Sequence, residues 1–234
     1  SQDIAVETIS PSNFALDGET ACLVLQYPNY FGNIEDLQGL INGAHAEGAL
    51  AVISTDPTAM GMFQTPGHYG ADIVTGDGQP LGIPSSFGGP YVGLFATKQE
   101  YVRQMPSRLS GRTVDKNGKT GYVLTLQTRE QHIRRERATS NICTNQGLLA
   151  LRATVYLSLL GRQGLAEVSE LCCRKAHYAA ERLSELPDLE LMFSRPFFKE
   201  FTLRHHGDAT QLIDRAAAAG FDLGPALGRF PRLR

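Results

Sequence analysis

The densest chemistry in this chain lies at residues 76–90, Gly76-Asp77-Gly78-Gln79-Pro80-Leu81-Gly82-Ile83-Pro84-Ser85-Ser86-Phe87-Gly88-Gly89-Pro90. Glycines at such density let backbone approach a ligand closely, and the N–H groups that these turns leave exposed bind anions. No lysine occurs between Asp72 and Thr97, so this segment has no side-chain amine with which to form an imine. Long structureless loops are either functional or mere linkers, and the glycines alone leave both open.

A second cluster is basic: Arg129, His132, Arg134, Arg135 and Arg137. A guanidinium offers a two-pronged fork to phosphate or carboxylate. The same residues suit a solvated helical face or an ion-pair network between domains, and residue types alone favour that plainer use. His132 can act as an acid or base, yet no carboxylate stands at a spacing that would orient it. His205-His206 lacks a third ligand at usable spacing, so no metal site is expected. His68 reads as a loop hydrogen-bonder, and Cys143, opening an apolar helix, as an inert thiol.

These groups need a scaffold, and composition supplies one. With 42% hydrophobic residues the chain can bury a sizeable core in one large domain or two small ones. No apolar run reaches the ~18 residues of a membrane helix, and the first residues lack the pattern of a signal peptide; a soluble, cytoplasmic protein is expected. The four cysteines, Cys22, Cys143, Cys172 and Cys173, read as reduced and mostly buried. The net charge is −2, but the first 97 residues hold ten acids and no Lys or Arg. Nucleic acid is a poor fit for a chain acidic overall, whose basic stretch has few aromatics for stacking.

Short apolar runs at 21–26 and 49–53 read as buried strands, joined by a helix with Asn33 as cap, Asp36 at the third position, and Ile34, Leu37, Leu40, Ile41 and Ala44 on one face. That order implies a parallel crossover, hence an α/β layer. Strands at 71–74 and 91–96 flank the glycine-rich loop, which places it where open α/β sheets bind ligands. Residues 101–140 read as an exposed basic loop. Residues 142–160 read as a long buried helix, broken at Gly161 and Gly164 from an amphipathic helix that ends before Pro187. Strands at 189–193 and 198–203 and a helix capped by Asp208 complete the chain. That is too little to close a small α+β domain.

Read in order, Ala71-Asp72-Ile73-Val74 to Gly93, Arg108-Leu109-Ser110-Gly111-Arg112, Gln127-Thr128-Arg129-Glu130-Gln131-His132-Ile133-Arg134-Arg135-Glu136 and Ala138-Thr139-Ser140-Asn141-Ile142-Cys143-Thr144-Asn145-Gln146 closely resemble glycine decarboxylase, the P-protein of the glycine cleavage system. Within that family the match is similar to subunit 1, the alpha chain of the two-subunit bacterial form. The resemblance implies a fold type I pyridoxal-phosphate-transferase-like large α/β domain, partial here, at 1–140. A linking helix and a smaller, truncated C-terminal α+β domain would follow at 141–234. It implies an assembly that decarboxylates glycine with pyridoxal phosphate, anchored by the partner subunit 2, and passes the aminomethyl group to lipoyl H-protein.

In the catalytic subunit of the family a His-Lys pair follows the third strand, and the lysine forms the internal imine. Laid without gaps from Ala71, that pair falls on Gln79 and Pro80, neither of which can do so. The aspartate that would face the pyridine nitrogen falls on Ser54, with Asp56 two residues away. The resemblance thus implies a degenerate cofactor site with no catalytic residue on this chain and no cofactor bound by it alone. Arg108, Arg112, Arg129, His132, Arg134 and Arg135 are left as residues for the interface or the substrate path.

Overall fold

The computed structural model describes residues 4–11, 14–86, 88–105, 108–126, 130–138 and 146–228. The chain forms two compact units, one of Ser1–Tyr27 with Glu35–Ser169, the other of Pro28–Ile34 with Glu170–Arg234. The first holds a four-stranded sheet in the order β1-β2-β3-β4, with β1 at Cys22–Tyr27, β2 at Leu50–Thr55, β3 at Ile73–Asp77 and β4 at Gly93–Thr97. The first three are parallel, β1 and β2 as their strand-helix-strand order requires, and β4 runs antiparallel to β3. The sheet is therefore mixed.

Between β1 and β2 lies α1, Leu37–Ala46, which buries Leu37, Leu40, Ile41 and Ala44, a stripe at helical spacing. Its cap is Asp36, whose carboxylate accepts the Gly39 N–H. Asn33, expected to cap it, is buried instead in a closed turn with Asn29: the Asn29 N–H donates to the Asn33 carbonyl, and the Asn33 N–H to the Asn29 side chain. The helix cannot start until that turn is finished, which leaves Ile34 outside it. It ends where the Gly48 N–H donates to His45 O and the Ala49 N–H to Ala44 O, with Gly48 at φ 78°, the two-bond stop that satisfies orphan carbonyls. Leu40 and Ala44 pack with Leu23 and Ala49, and with the partly buried Ile9, Phe14, Leu16 and Leu25.

Residues 101–140 are not a plain loop. They contain an antiparallel hairpin of β5, Leu109–Val114, and β6, Thr120–Thr125, turned by Asp115, whose carboxylate accepts the Asn117 and Lys119 N–H groups, with Gly118 at φ 77°. A single-turn helix α2 follows at Gln131–Arg134. The long helix α3, Gly147–Ser184, is two helices joined across a kink at Gly161, whose φ of 61° and ψ of −171° break the ladder where the sequence marks it. Its first half is not buried as expected: Leu148, Leu151, Val155 and Leu159 are all exposed, Leu148 at 78% and Leu159 at 82%. Cys22 is likewise exposed, and Cys172 and Cys173 only half-buried; burial of Cys173 raises its thiol pKa. Cys143 lies outside the described residues.

In the second unit, β7 at Leu189–Leu191 pairs antiparallel with β8 at Leu203–His205. The strand expected at 198–203 starts later, because Phe198 is wholly buried and the segment before it bonds to the loop 28–34: Ile34 N donates to Pro196 O, and Asn33 bridges to Phe197. Helix α4, Ala209–Ala218, has Asp208 as its cap, accepting the Thr210 and Gln211 N–H groups. No helix among the described residues is long and apolar enough to cross a membrane.

Candidate functional site

At the carboxyl ends of β2 and β3 a cleft of about 550 Å³ is lined by Ser54, Thr75, Gly76, Asp77, Tyr91, Val92, Gly93 and Gln146. This is where an open α/β sheet places a ligand. Two hydroxyls on adjacent parallel strands, Ser54 and Thr75, are register partners across β2 and β3. Among these lining residues Asp77 is the one with an ionisable carboxylate, and none is Lys, Arg or His. Asp77 accepts the Gln79 N–H, which turns the chain away from the strand.

Three of the glycines beside the cleft, Gly76, Gly78 and Gly82, have packing reasons. A Cβ on Gly76 would lie 2.6 Å from the Thr55 carbonyl oxygen, and one on Gly78 2.5 Å from Val92 Cγ1 and 2.9 Å from the Val92 carbonyl oxygen. Gly82, at φ 79°, turns under Tyr156, and its carbonyl accepts from Arg152 Nε at 2.5 Å. The loop is thus clamped from α3 by Arg152 and Tyr156, two residues that carry no sequence mark of the role. Gly76, Gly78 and Gly82 are used for close approach of protein to protein, whereas Gly88 stands in open space at φ 90°.

Gln79 and Pro80, on which the resemblance would lay the family's His-Lys pair, are occupied to structural ends. Gln79 donates its amide to Ile83 O at 2.6 Å, while the Ile83 N–H returns to Gln79 O; Pro80 sits inside that closed turn. Ser54 lines the cleft, but a hydroxyl is neutral and cannot balance a protonated pyridine nitrogen as a carboxylate does. Asp56 is spent capping the turn Pro57–Gly61 through the Thr58 N–H at 2.8 Å.

Lys98 is held at the other end of β3. Its ammonium meets Asp72 Oδ1 at 2.5 Å, while Asp72 Oδ2 accepts the Ala51 N–H at 2.7 Å and lies 2.8 Å from His45 Nε2. Burial alone would raise the Asp72 carboxyl pKa, but the Ala51 N–H, Lys98 and His45 outweigh it and hold it below the ordinary value. The bond to Asp72 correspondingly raises Lys98. Three to five residues of strand, about 10–16 Å, separate this cluster from the residues that line the cleft. A lysine so placed and kept charged does not serve an imine there.

The chemistry of the described lining set therefore does not suit pyridoxal phosphate. Its phosphate would meet a carboxylate with no cation to answer it, and its aldehyde would meet no amine.

The basic residues fall on two elements. Arg108 and Arg112 belong to the β5 side of the hairpin, Arg108 half-buried and Arg112 exposed; His132, Arg134 and Arg135 are exposed on and just after α2. Arg129 lies outside the described residues. Between these groups sits Glu130, buried within a stretch that sequence reading treats as exposed, and no residue spacing marks it out.

The comparisons agree with one another. A family model described as glycine cleavage system P-protein matches residues 1–226. A probable glycine dehydrogenase (decarboxylating) subunit 1 of Thermomicrobium roseum is 56% identical over 222 residues, covering 92% of this chain and 50% of that protein. A crystal structure of glycine decarboxylase (P-protein) of the glycine cleavage system, in inhibitor-bound form, superposes with a TM-score of 0.85 at 45% identity, covering 88% of this chain and 47% of that one. A sphingosine-1-phosphate lyase from Burkholderia pseudomallei, TM-score 0.61 at 16% identity, over 91% of this chain and 46% of the other, shares the fold alone. The chain spans about half the length of the curated relatives it matches. Sheet order, strand sense and the family match over nearly every residue place this chain in the glycine cleavage system P-protein family.

Proposed function

We propose that this chain is part of the noncatalytic subunit 1 of a two-subunit, cytoplasmic glycine decarboxylase. The complete assembly decarboxylates glycine and passes the aminomethyl group to the lipoyl arm of H-protein. Pyridoxal phosphate is held by the partner, subunit 2, and this chain supports the partner's site through the surface that carries Arg108, Arg112, Arg129, His132, Arg134 and Arg135. Residues 1–140 belong to the large α/β domain, and residues 141–234 to the linking helix and part of a smaller α+β domain.

The observation that carries this reading is the donor set of the cleft. The position for the imine lysine is Pro80, inside a turn closed by Gln79 and Ile83, and the nearest lysine, Lys98, is paired with Asp72 at the opposite end of the strand. Relatives bearing the name subunit 1 imply a second subunit.

The test mixes full-length subunit 1 with its partner and follows glycine-dependent exchange of labelled bicarbonate into the glycine carboxyl group, beside each subunit alone. Exchange by the mixture and not by this subunit alone is expected. Exchange by this subunit alone, or an absorption band on it that borohydride makes permanent, overturns the reading in favour of a self-sufficient enzyme. Equal activity of the partner without it reduces the chain to a scaffold.

A further inference from the structure

Ser54, Thr75, Asp77 and Gly93 stand on one face of the four-stranded sheet. Thr75 and Asp77 are alternate residues of β3, Ser54 is the register partner of Thr75 across the parallel pair, and Gly93 is that of Asp77 across the antiparallel one. All four line the cleft of about 550 Å³, a size in the range of small-molecule sites. Half-buried hydroxyls elsewhere in this chain are spent on backbone: Thr55 donates to Tyr27 O, Thr97 to Asp72 O and Thr125 to Leu109 O. Ser54 Oγ, Thr75 Oγ1 and the Gln146 side chain, by contrast, have no hydrogen-bond partner among the described residues. Asp77 commits one carboxylate oxygen to the Gln79 N–H and leaves the other unpaired among those residues. Gly93 has neither of the usual reasons to be glycine. Its φ is not positive, and a Cβ there would meet nothing within 4 Å, so the missing side chain leaves open the space directly opposite Asp77.

We propose that this cleft is a binding site for a small primary amine that carries no carboxylate, its ammonium held by the unpaired Asp77 oxygen and its remaining polar atoms by Ser54 Oγ and Thr75 Oγ1. The charge of the lining decides the ligand class. Hydroxyls and the Gln146 amide answer either a donor or an acceptor, so the one ionised group, Asp77, sets the preference. An ammonium against that carboxylate makes a charge-assisted bond. A carboxylate or phosphate of the ligand would instead meet Asp77 at close range with no cation of the described lining to offset the repulsion. The site is thus opposite in charge to the one that pyridoxal phosphate needs. This inference goes beyond the two-subunit reading and holds whichever subunit carries out the decarboxylation.

The experiment titrates the full-length protein with ethanolamine, followed by saturation-transfer NMR, beside glycine and acetate as carboxylate-bearing controls of like size. Asp77 is exposed and the probe has few atoms, so saturable binding in roughly the millimolar range is expected for ethanolamine, and none for acetate or glycine. D77N keeps an oxygen to accept the Gln79 N–H but not the charge, and should raise the Kd about tenfold or more. G93V fills the open space opposite Asp77 and should abolish binding. Neither change disturbs a contact of the fold, so both variants should melt within about 2 °C of wild type. No saturable binding of ethanolamine overturns the inference. So does acetate or glycine binding as tightly as ethanolamine, or unchanged affinity in either variant. Should one variant fail to fold, which its melting curve reveals, the other decides. Glycine-dependent bicarbonate exchange is a separate readout: its failure in the subunit mixture sinks the two-subunit reading and leaves this site standing, while loss of amine binding sinks only the site.

Discussion

A carboxylate shut away from water is tolerable only when its charge is met, and Asp72 is met by the Ala51 N–H, Lys98 and His45 together. Replacing it with asparagine keeps the shape and removes the charge. D72N should destabilise the chain by about 2–4 kcal/mol, less than a fully buried pair would lose because Lys98 is 39% exposed. The pH dependence has a definite sign. Asp72 has a lowered pKa, so its contribution is complete above the unfolded carboxyl value of about 3.9 and disappears as pH falls through the lower folded value. Lys98 has a raised one, so its share is complete below about 10.4 and disappears as pH rises through the folded value. The gap between wild type and D72N, measured by urea unfolding across pH, should be flat between those limits and close in acid. The same pairing predicts that treatment with pyridoxal phosphate and borohydride leaves Lys98 unmodified when peptides are weighed by mass spectrometry, while exposed Lys116 and Lys119 are labelled.

Among elements, α1 and the kink at Gly161 were legible because each rests on local rules: helical spacing of apolar residues, and a glycine at positive φ. The cap was misplaced by three residues, since Asn33 and Asp36 are equally good cap types and only the turn with Asn29 decides between them. Strand sense was legible for β1 and β2, joined by a crossover helix, but not for β4. The apolar run of β4 reads alike in either direction, and its antiparallel pairing depends on β3. The strands on either side of the Asn117-Gly118 turn are too exposed to show a buried face, so the hairpin was missed. One contact between α3 and the turn after β2 is a sensitive test: Ser169 Oγ donates to Thr58 O at 2.5 Å, both residues buried. S169A leaves that carbonyl unmet and should cost about 1–2 kcal/mol. G61A should cost more, about 2–3 kcal/mol, because a methyl there overlaps Ser169 Oγ and the Leu165 backbone. Denaturant midpoints of the two variants give the order.

For the whole molecule, the stripe of Leu148, Leu151, Val155 and Leu159 explains why a helix read as buried stands exposed. Apolar residue types read as burial whether or not this chain covers them, and the chain spans about half the length of its relatives. The hydrogen bonds that occupy the cleft's neighbours, Gln79 in a closed turn and Asp56 in a cap, were not legible, because no residue pattern carries them. An apolar surface of this kind drives association of the isolated chain. L148K with L159K should lower the concentration-dependent light scattering of the 234-residue chain without changing its circular dichroism, since neither side chain is packed here.

Strand β3 is pinned at its first end by Asp72 and opens at its last on the cleft. Two sites so far apart with no shared partners contribute independently to stability, so changes at one leave the other's energy untouched to within about 0.5 kcal/mol. A sheet anchored in this way can lose every catalytic group at its working end and remain as firmly folded as before. Chemistry and architecture are separable properties along this strand: the residues that line the cleft can change while the anchor that holds the sheet stays.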